Sequence, residues 1–169
     1  INALALWIGR ETRWGTWMVE FVFLFISSML CFHILRQLYG LVPALLSTIV
    51  WLAGLKTVLQ GGNLTEEYSL LFNFAAVSMY VYEFRHGKTR FLAFGIGFAF
   101  AASFLFRPNN IGVFLAILIA WTFMALLHRD WRLLFERLSF FVIVVLIPIF
   151  GMAFYFLKID ALGQMLEAS

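Results

Sequence analysis

Ionisable side chains are scarce in this sequence, because only 12% of its 169 residues are Asp, Glu, Lys or Arg. An average soluble domain carries about 25% of such residues. A single cysteine, Cys31, cannot form an internal disulfide bond. The low charge therefore excludes a soluble enzyme and a disordered segment, and the lone cysteine excludes a disulfide-linked scaffold.

Apolar and aromatic residues take the place of the missing charges. Hydrophobic residues make up 63% of the sequence, which includes 21 Phe and 6 Trp, and the mean hydropathy is +0.94. The net charge of +3 is small and its basic residues are scattered, which argues against a nucleic-acid partner. The sequence lacks the signature motifs of P-loop ATPases, α/β-hydrolases and zinc proteases. These features predict a membrane protein, with membrane lipid as its partner.

Six apolar runs are long enough to cross a bilayer as helices. About 20 apolar residues are needed, because each residue of a helix advances about 1.5 Å through about 30 Å of hydrocarbon. The runs are continuously apolar rather than alternating, which favours helices over the strands of a membrane barrel. The predicted fold class is therefore all-α, a polytopic membrane bundle of about six transmembrane helices. The predicted spans are 17–38, 41–60, 66–84, 90–106, 110–127 and 138–157.

The whole sequence, residues 1–169, is predicted to belong to one transmembrane domain. We expect it to be an internal piece of a longer protein, because it begins without Met. A short apolar start rich in Trp suits a helix at the membrane interface, and the end of a truncated helix is the alternative. The predicted parts are an interfacial segment (1–16), six membrane helices (17–157) and an extracytoplasmic tail (158–169).

Basic residues in the predicted loops indicate the orientation. One set of loops holds seven Lys or Arg residues, and the opposite set holds four. Loops on the cytoplasmic side carry the excess of basic residues in membrane proteins, so the first set is predicted to be cytoplasmic. The turns at 61–67 and 107–110 then lie together on the extracytoplasmic face.

A first polar cluster precedes and begins the third span. The glycines at 61–62 can end one helix, and Asn63 or Thr65 can cap the next. Glu66 and Glu67 then fall in the first turn, where the helix dipole favours anions. A helix-capping role and a site for a divalent cation or a sugar are both open alternatives.

A second polar cluster, Arg107-Pro108-Asn109-Asn110, joins the fourth and fifth spans. Pro108 disfavours helix at Arg107, and the two Asn side chains are expected to cap the fifth helix. A guanidinium beside a helix N-terminus suits a phosphate group. An arginine that reaches lipid headgroups is the alternative.

Two further glutamates and one pair of small residues stand at notable positions in the predicted helices. Glu20 lies early in the first span, within reach of the same extracytoplasmic surface. Glu83, beside Arg85 at the other end, is expected to belong to a solvated charge cluster. The spacing of Gly97 and Ala101 predicts a close approach to a neighbouring helix.

Three stretches of the sequence resemble bacterial membrane glycosyltransferases of the GT-C superfamily. Gly-Gly-Asn-Leu-Thr-Glu-Glu-Tyr-Ser-Leu stands at 61–70, Phe-Arg-Pro-Asn-Asn at 106–110, and the opening Ile-Asn-Ala-Leu-Ala precedes Trp-Met-Val-Glu at 17–20. The pattern is most similar to relatives of glycosyltransferase family 39, the protein-mannosyltransferase and aminoarabinose-transferase type. The resemblance covers most of residues 1–127.

The resemblance implies a multi-pass enzyme of the bacterial plasma membrane. Such an enzyme transfers a sugar from a polyprenyl-phosphate donor to an acceptor on the extracytoplasmic face. Arg107 would lie near the donor phosphate, and Glu66 and Glu67 would border the sugar or a divalent metal ion, the one cofactor implied. The substrate-binding residues that it implies are Asn63, Glu66, Glu67, Arg107, Asn109 and Asn110.

One departure from the family concerns the catalytic residue. The essential aspartate of these enzymes lies in their first extracytoplasmic loop, before the position of Ile1. The two aspartates here, Asp130 and Asp160, match neither its position nor its context. We therefore expect these 169 residues alone to be catalytically inert.

Two other functions are open from the sequence. A secondary transporter or lipid flippase would carry ionisable groups near the bilayer midplane, whereas the polar clusters here lie toward one surface. In a non-catalytic membrane scaffold, Glu66, Glu67 and Arg107 would only cap helices and anchor headgroups.

Overall fold

The computed structural model describes residues 13–58, 65–87, 90–106 and 109–158. These residues form six α-helices and no strand, which confirms the all-α prediction. The predicted extracytoplasmic tail after Lys158 and residues 1–12 of the predicted interfacial segment lie outside the described residues. The helices are α1 (Arg13–Tyr39), α2 (Leu41–Val58), α3 (Thr65–His86), α4 (Arg90–Phe106), α5 (Gly112–His128) and α6 (Trp131–Lys158).

The helix boundaries follow the apolar runs closely, except at the start of α6. This helix begins at Trp131 rather than at 138. The carboxylate of Asp130 accepts a hydrogen bond from the backbone N–H of Leu133 at 3.3 Å, which caps the first turn. The extra turns carry Arg132 and Arg137, so a search for continuous apolar sequence did not include them.

The prediction that Asn109 and Asn110 cap α5 is wrong. The helix begins at Gly112, and its N-cap residue is Ile111, which makes no side-chain capping bond. Asn109 and Asn110 stand in the preceding turn. The Asn110 side chain instead contacts α3.

A single residue, Gly40, links α1 to α2. It adopts φ +89°, a conformation that residues with a Cβ rarely adopt. The two helices run antiparallel, since Phe21 of α1 lines the same groove as Leu55 of α2, and Phe32 lines it with Leu45. The chain therefore reverses direction within one residue.

Successive helices alternate in direction, as the contacts that α3 and α4 make along their lengths with the other helices show. α3 packs against α1, α4 and α5, and α6 packs against α4 and α5. One end of the bundle, which we call the Glu67 end, holds the first residues of α1, α3 and α5. The opposite end, which we call the Glu83 end, holds the first residues of α2, α4 and α6.

The core lies between α3, α4, α5 and α6, and small residues bring two of these helices close together. A Cβ atom built on Gly97 of α4 would lie 2.9 Å from the backbone oxygen of Phe141 of α6. Ala101 is also buried. The predicted close approach at Gly97 is confirmed. The largest side chains of the core are Trp121, Phe114 and Phe141.

Two helical segments are long and apolar enough to cross a membrane, by length and composition alone: Trp14–Tyr39 and Trp131–Lys158. Three others are apolar but shorter, Leu41–Leu55, Phe91–Phe106 and Gly112–His128. The six crossings stay a prediction.

Candidate functional site

Both predicted carboxylates of the first cluster lie in the first turn of α3, as expected. Glu67 is only 2% exposed, whereas Glu66 is partly buried. Successive side chains of a helix point about 100° apart, so two adjacent residues do not face one point. Glu67 therefore faces the bundle interior, and Glu66 partly reaches the surface.

A second buried carboxylate comes from α1. Glu20 is 8% exposed, and both Glu20 and Glu67 interact electrostatically with Tyr68. The Tyr68 ring lies between Phe23 of α1, edge-on at 5.3 Å, and Phe106 of α4, stacked at 6.1 Å between ring centroids. Two carboxylates and a phenol thus lie together at the Glu67 end, among aromatic rings.

Asn110 joins the two polar clusters. Its side-chain amide donates a hydrogen bond to the Ser69 hydroxyl on α3, which in turn donates to the backbone oxygen of Glu66 at 2.7 Å. Ser69 itself is 1% exposed. The turn before α5 and the first turn of α3, which are 41 residues apart in sequence, are therefore in contact.

The remaining predicted site residues divide into two groups. Asn109 lies in the same turn as Asn110 with its side chain exposed. Asn63 and Arg107 lie outside the described residues. Phe106 and Asn110, on either side of Arg107 and Pro108, both contact α3, through Tyr68 and Ser69 respectively.

The predicted divalent metal ion stays a prediction. Among the described residues, no group of three or more His, Cys, Asp or Glu side chains could hold one. Glu66 and Glu67 differ in burial and diverge along the helix, so the adjacent pair alone does not present two carboxylates to one ion. No chemical step below depends on a metal.

The structure also contains a charged cluster that the sequence analysis missed. At the Glu83 end, the carboxylate of Glu83 on α3 forms an ion pair with Arg137 of α6. It also accepts a hydrogen bond from the Trp121 indole of α5 at 3.1 Å. The Arg137 guanidinium carbon lies 5.5 Å from the centroid of the Trp121 ring, in a cation–π contact.

The prediction of a solvated Glu83 is therefore wrong, because Glu83 is only 5% exposed. Its neighbour Arg85 points elsewhere and donates to the backbone oxygen of Gln37 on α1. The helical spacing could have predicted this burial. Glu83 lies two turns after the fully buried Ala76, so the two side chains lie on the same face of α3.

No family model matches this chain, and neither a curated protein nor a solved structure is detectably similar to it. The GT-C resemblance therefore stays a prediction that rests on short motifs. Two of these motifs contain the residues that the Asn110–Ser69 bond brings together.

Proposed function

We propose that the chain is a multi-pass membrane domain of six transmembrane helices. Large apolar side chains are exposed on every helix, which would be costly in water over so much of a surface. The shorter helices α4 and α5 have 17 residues each, at the lower limit of the lengths that span a bilayer. Examples from the six helices are Phe21, Val50, Phe84, Phe91, Ile119 and Phe154.

Hydroxyl groups in the helices also support a lipid environment. Ser27, Thr122 and Ser139 each donate to the backbone oxygen four residues earlier. Thr122 and Ser139 are exposed, so in water they would have solvent partners. Local bonds of this kind satisfy hydroxyls where no water is present.

The excess of basic residues in one set of loops supports a cytoplasmic Glu83 end. The Glu67 end is then extracytoplasmic, and the two polar clusters open on that side of a bacterial plasma membrane. The alternating directions of the six helices are compatible with this arrangement.

At the Glu67 end, we propose, the complete protein binds a polyprenyl-phosphate-linked sugar and transfers the sugar to an acceptor. The observation that carries this proposal is the Asn110–Ser69 hydrogen bond, because it joins the two motifs that resemble GT-C enzymes. A phosphate-binding arginine and sugar-facing carboxylates are the groups that such a site requires.

The proposed residues act on the two sides of the sugar–phosphate bond that breaks. The bond between the anomeric carbon and the phosphate oxygen breaks as an acceptor oxygen attacks that carbon. Arg107 stabilises the departing phosphate through its guanidinium donors, and Glu67 faces the sugar, where positive charge develops. The acceptor proton passes to a carboxylate base, which we assign to an aspartate outside these 169 residues.

Sugar transfer in membranes that contain the complete protein tests this function. We expect Arg107→Ala and Glu67→Gln each to reduce transfer from a polyprenyl-phosphate donor by about 10²–10³-fold. Arg132→Ala is the matched control, since Arg132 is exposed at the opposite end. Unchanged transfer in both site variants, at equal protein levels, would contradict the assignment.

A secondary transporter or lipid flippase is the second candidate function. The buried Glu83–Arg137 pair favours it, because ionisable groups buried between membrane helices often mark a transport pathway. Movement of a lipid-linked substrate across purified vesicles, without transfer of its sugar, would support this alternative.

A further inference from the structure

A cleft opens at the Glu83 end, where α3, α5 and α6 meet. Its volume is about 390 Å³, which is room for roughly a dozen water molecules at about 30 Å³ each. Most of its lining residues are apolar or aromatic, and its charged members are Glu83, Asp130 and Arg137. The residues that matter here are Tyr80, Glu83, Phe84, Trp121, His128 and Arg137.

Arg137 is the group in this cleft that is most suited to a ligand. A guanidinium carries five N–H donors in a planar fork. Among the described residues, Glu83 is the one acceptor that Arg137 contacts, and the Trp121 ring covers one face of the guanidinium. The Arg137 side chain remains 14% exposed. It is therefore fixed in place by two partners while part of it still reaches the cleft.

The two carboxylates that line the cleft, Glu83 and Asp130, are each engaged within the protein. Glu83 is compensated by Arg137, and the carboxylate of Asp130 caps the positive end of α6. His128 lies in the wall, and Arg129 and Arg132, both exposed, follow it in sequence. A ligand in the cleft therefore meets the remaining N–H donors of Arg137, while both carboxylates are engaged by groups of the protein itself.

We propose that this cleft binds the phosphate group of a phosphodiester headgroup through Arg137. A bare phosphate ion would leave most of the volume empty, whereas a glycerol phosphodiester would fill it and pack against Phe84 and Tyr80. Arginine matches the geometry of phosphate oxygens better than lysine, since it can donate two parallel hydrogen bonds. The inference concerns the end opposite the proposed transfer site and does not depend on that function.

Binding to the purified protein in detergent, followed by native mass spectrometry, tests the inference. The probes are phosphatidylglycerol, a diacylglycerol with the same acyl chains, and soluble glycerophosphoglycerol. We expect phosphatidylglycerol to bind at least about tenfold more tightly than diacylglycerol. Binding of glycerophosphoglycerol with similar affinity would identify a free phosphodiester as the ligand, and its failure to bind would identify the lipid.

Two variants connect the binding to Arg137. Arg137→Lys keeps the charge opposite Glu83 but removes the fork, and we expect about tenfold weaker binding. Arg132→Lys makes the same change on an exposed residue, and its binding should equal that of the original protein. Equal binding of diacylglycerol and phosphatidylglycerol, or equal binding by Arg137→Lys at an unchanged melting temperature, would overturn the proposal.

Discussion

Trp121 donates its indole N–H to the carboxylate of Glu83, and the same carboxylate receives Arg137, so one side chain connects three helices. All three residues belong to the inner part of the bundle, and Trp121 is 1% exposed. These two interactions hold the last turns of α3 against α5 and against the first turns of α6.

Removing Glu83 alone should destabilise the bundle strongly. Glu83→Ala leaves Arg137 largely buried without its counter-ion, and we expect a loss of about 3 kcal/mol in the free energy of unfolding. Replacing both partners, as in Glu83→Gln with Arg137→Gln, leaves no unpaired charge and should cost less than the single Ala variant. Reversible unfolding in mixed micelles measures both; a double variant as unstable as Glu83→Ala would contradict the pairing.

The close approach of α4 and α6 predicts opposite effects for two glycines. Gly97→Ala should lower stability, since the added Cβ would meet the backbone of Phe141, which cannot move away without shifting α6. Gly151→Ala places its Cβ in open space and should raise stability by up to about 1 kcal/mol through helix propensity. Thermal unfolding of the two variants provides the comparison. Equal shifts of the same sign would argue against the α4–α6 contact.

The Asn110–Ser69 bond should be measurable as an energetic coupling. Asn110→Ala and Ser69→Ala each remove one partner, and we expect a coupling of about 1 kcal/mol in a double-mutant cycle. The matched control pairs Asn109→Ala with Ser69→Ala, because the Asn109 side chain is exposed to the surroundings of the bundle. A coupling near zero for Asn110 would disprove the link between the two clusters.

The proposed orientation can be tested by cysteine labelling in intact cells. The native Cys31 is buried, so its background reaction should be low. Asn109→Cys, at the Glu67 end, should react with a membrane-impermeant maleimide added outside. Arg132→Cys, at the Glu83 end, should react only after permeabilisation. Labelling of both from outside would refute the proposed topology.

Much of the fold could be predicted from the sequence, because continuous apolar runs are a strong signal. The boundaries of α4 coincide with the predicted span 90–106, and α2 begins at the predicted Leu41. The start of α6 could not be found in this way, since Arg132, Glu136 and Arg137 interrupt the apolar sequence of its first two turns and Arg137 pairs with Glu83.

The candidate site was only partly accessible from the sequence. The number of predicted crossings placed the turns at 61–67 and 107–110 at the same end of the bundle. It did not predict the role of Asn110. Its side chain bonds Ser69, a residue 41 positions away, instead of its own helix, and such long-range choices depend on packing. Glu83 was misjudged for the same reason, because its partners Trp121 and Arg137 lie on other helices.

The one-residue link at Gly40 has a consequence for biogenesis. In the proposed membrane arrangement, the single residue between Tyr39 and Leu41 could not carry the chain across a bilayer, so α1 and α2 would insert as one hairpin. In that arrangement, a change in the charged residues that flank one of the two helices could not reverse its orientation unless the other helix reversed as well. In the proposed six-crossing arrangement, α1 and α2 would therefore count as a single unit for the insertion machinery.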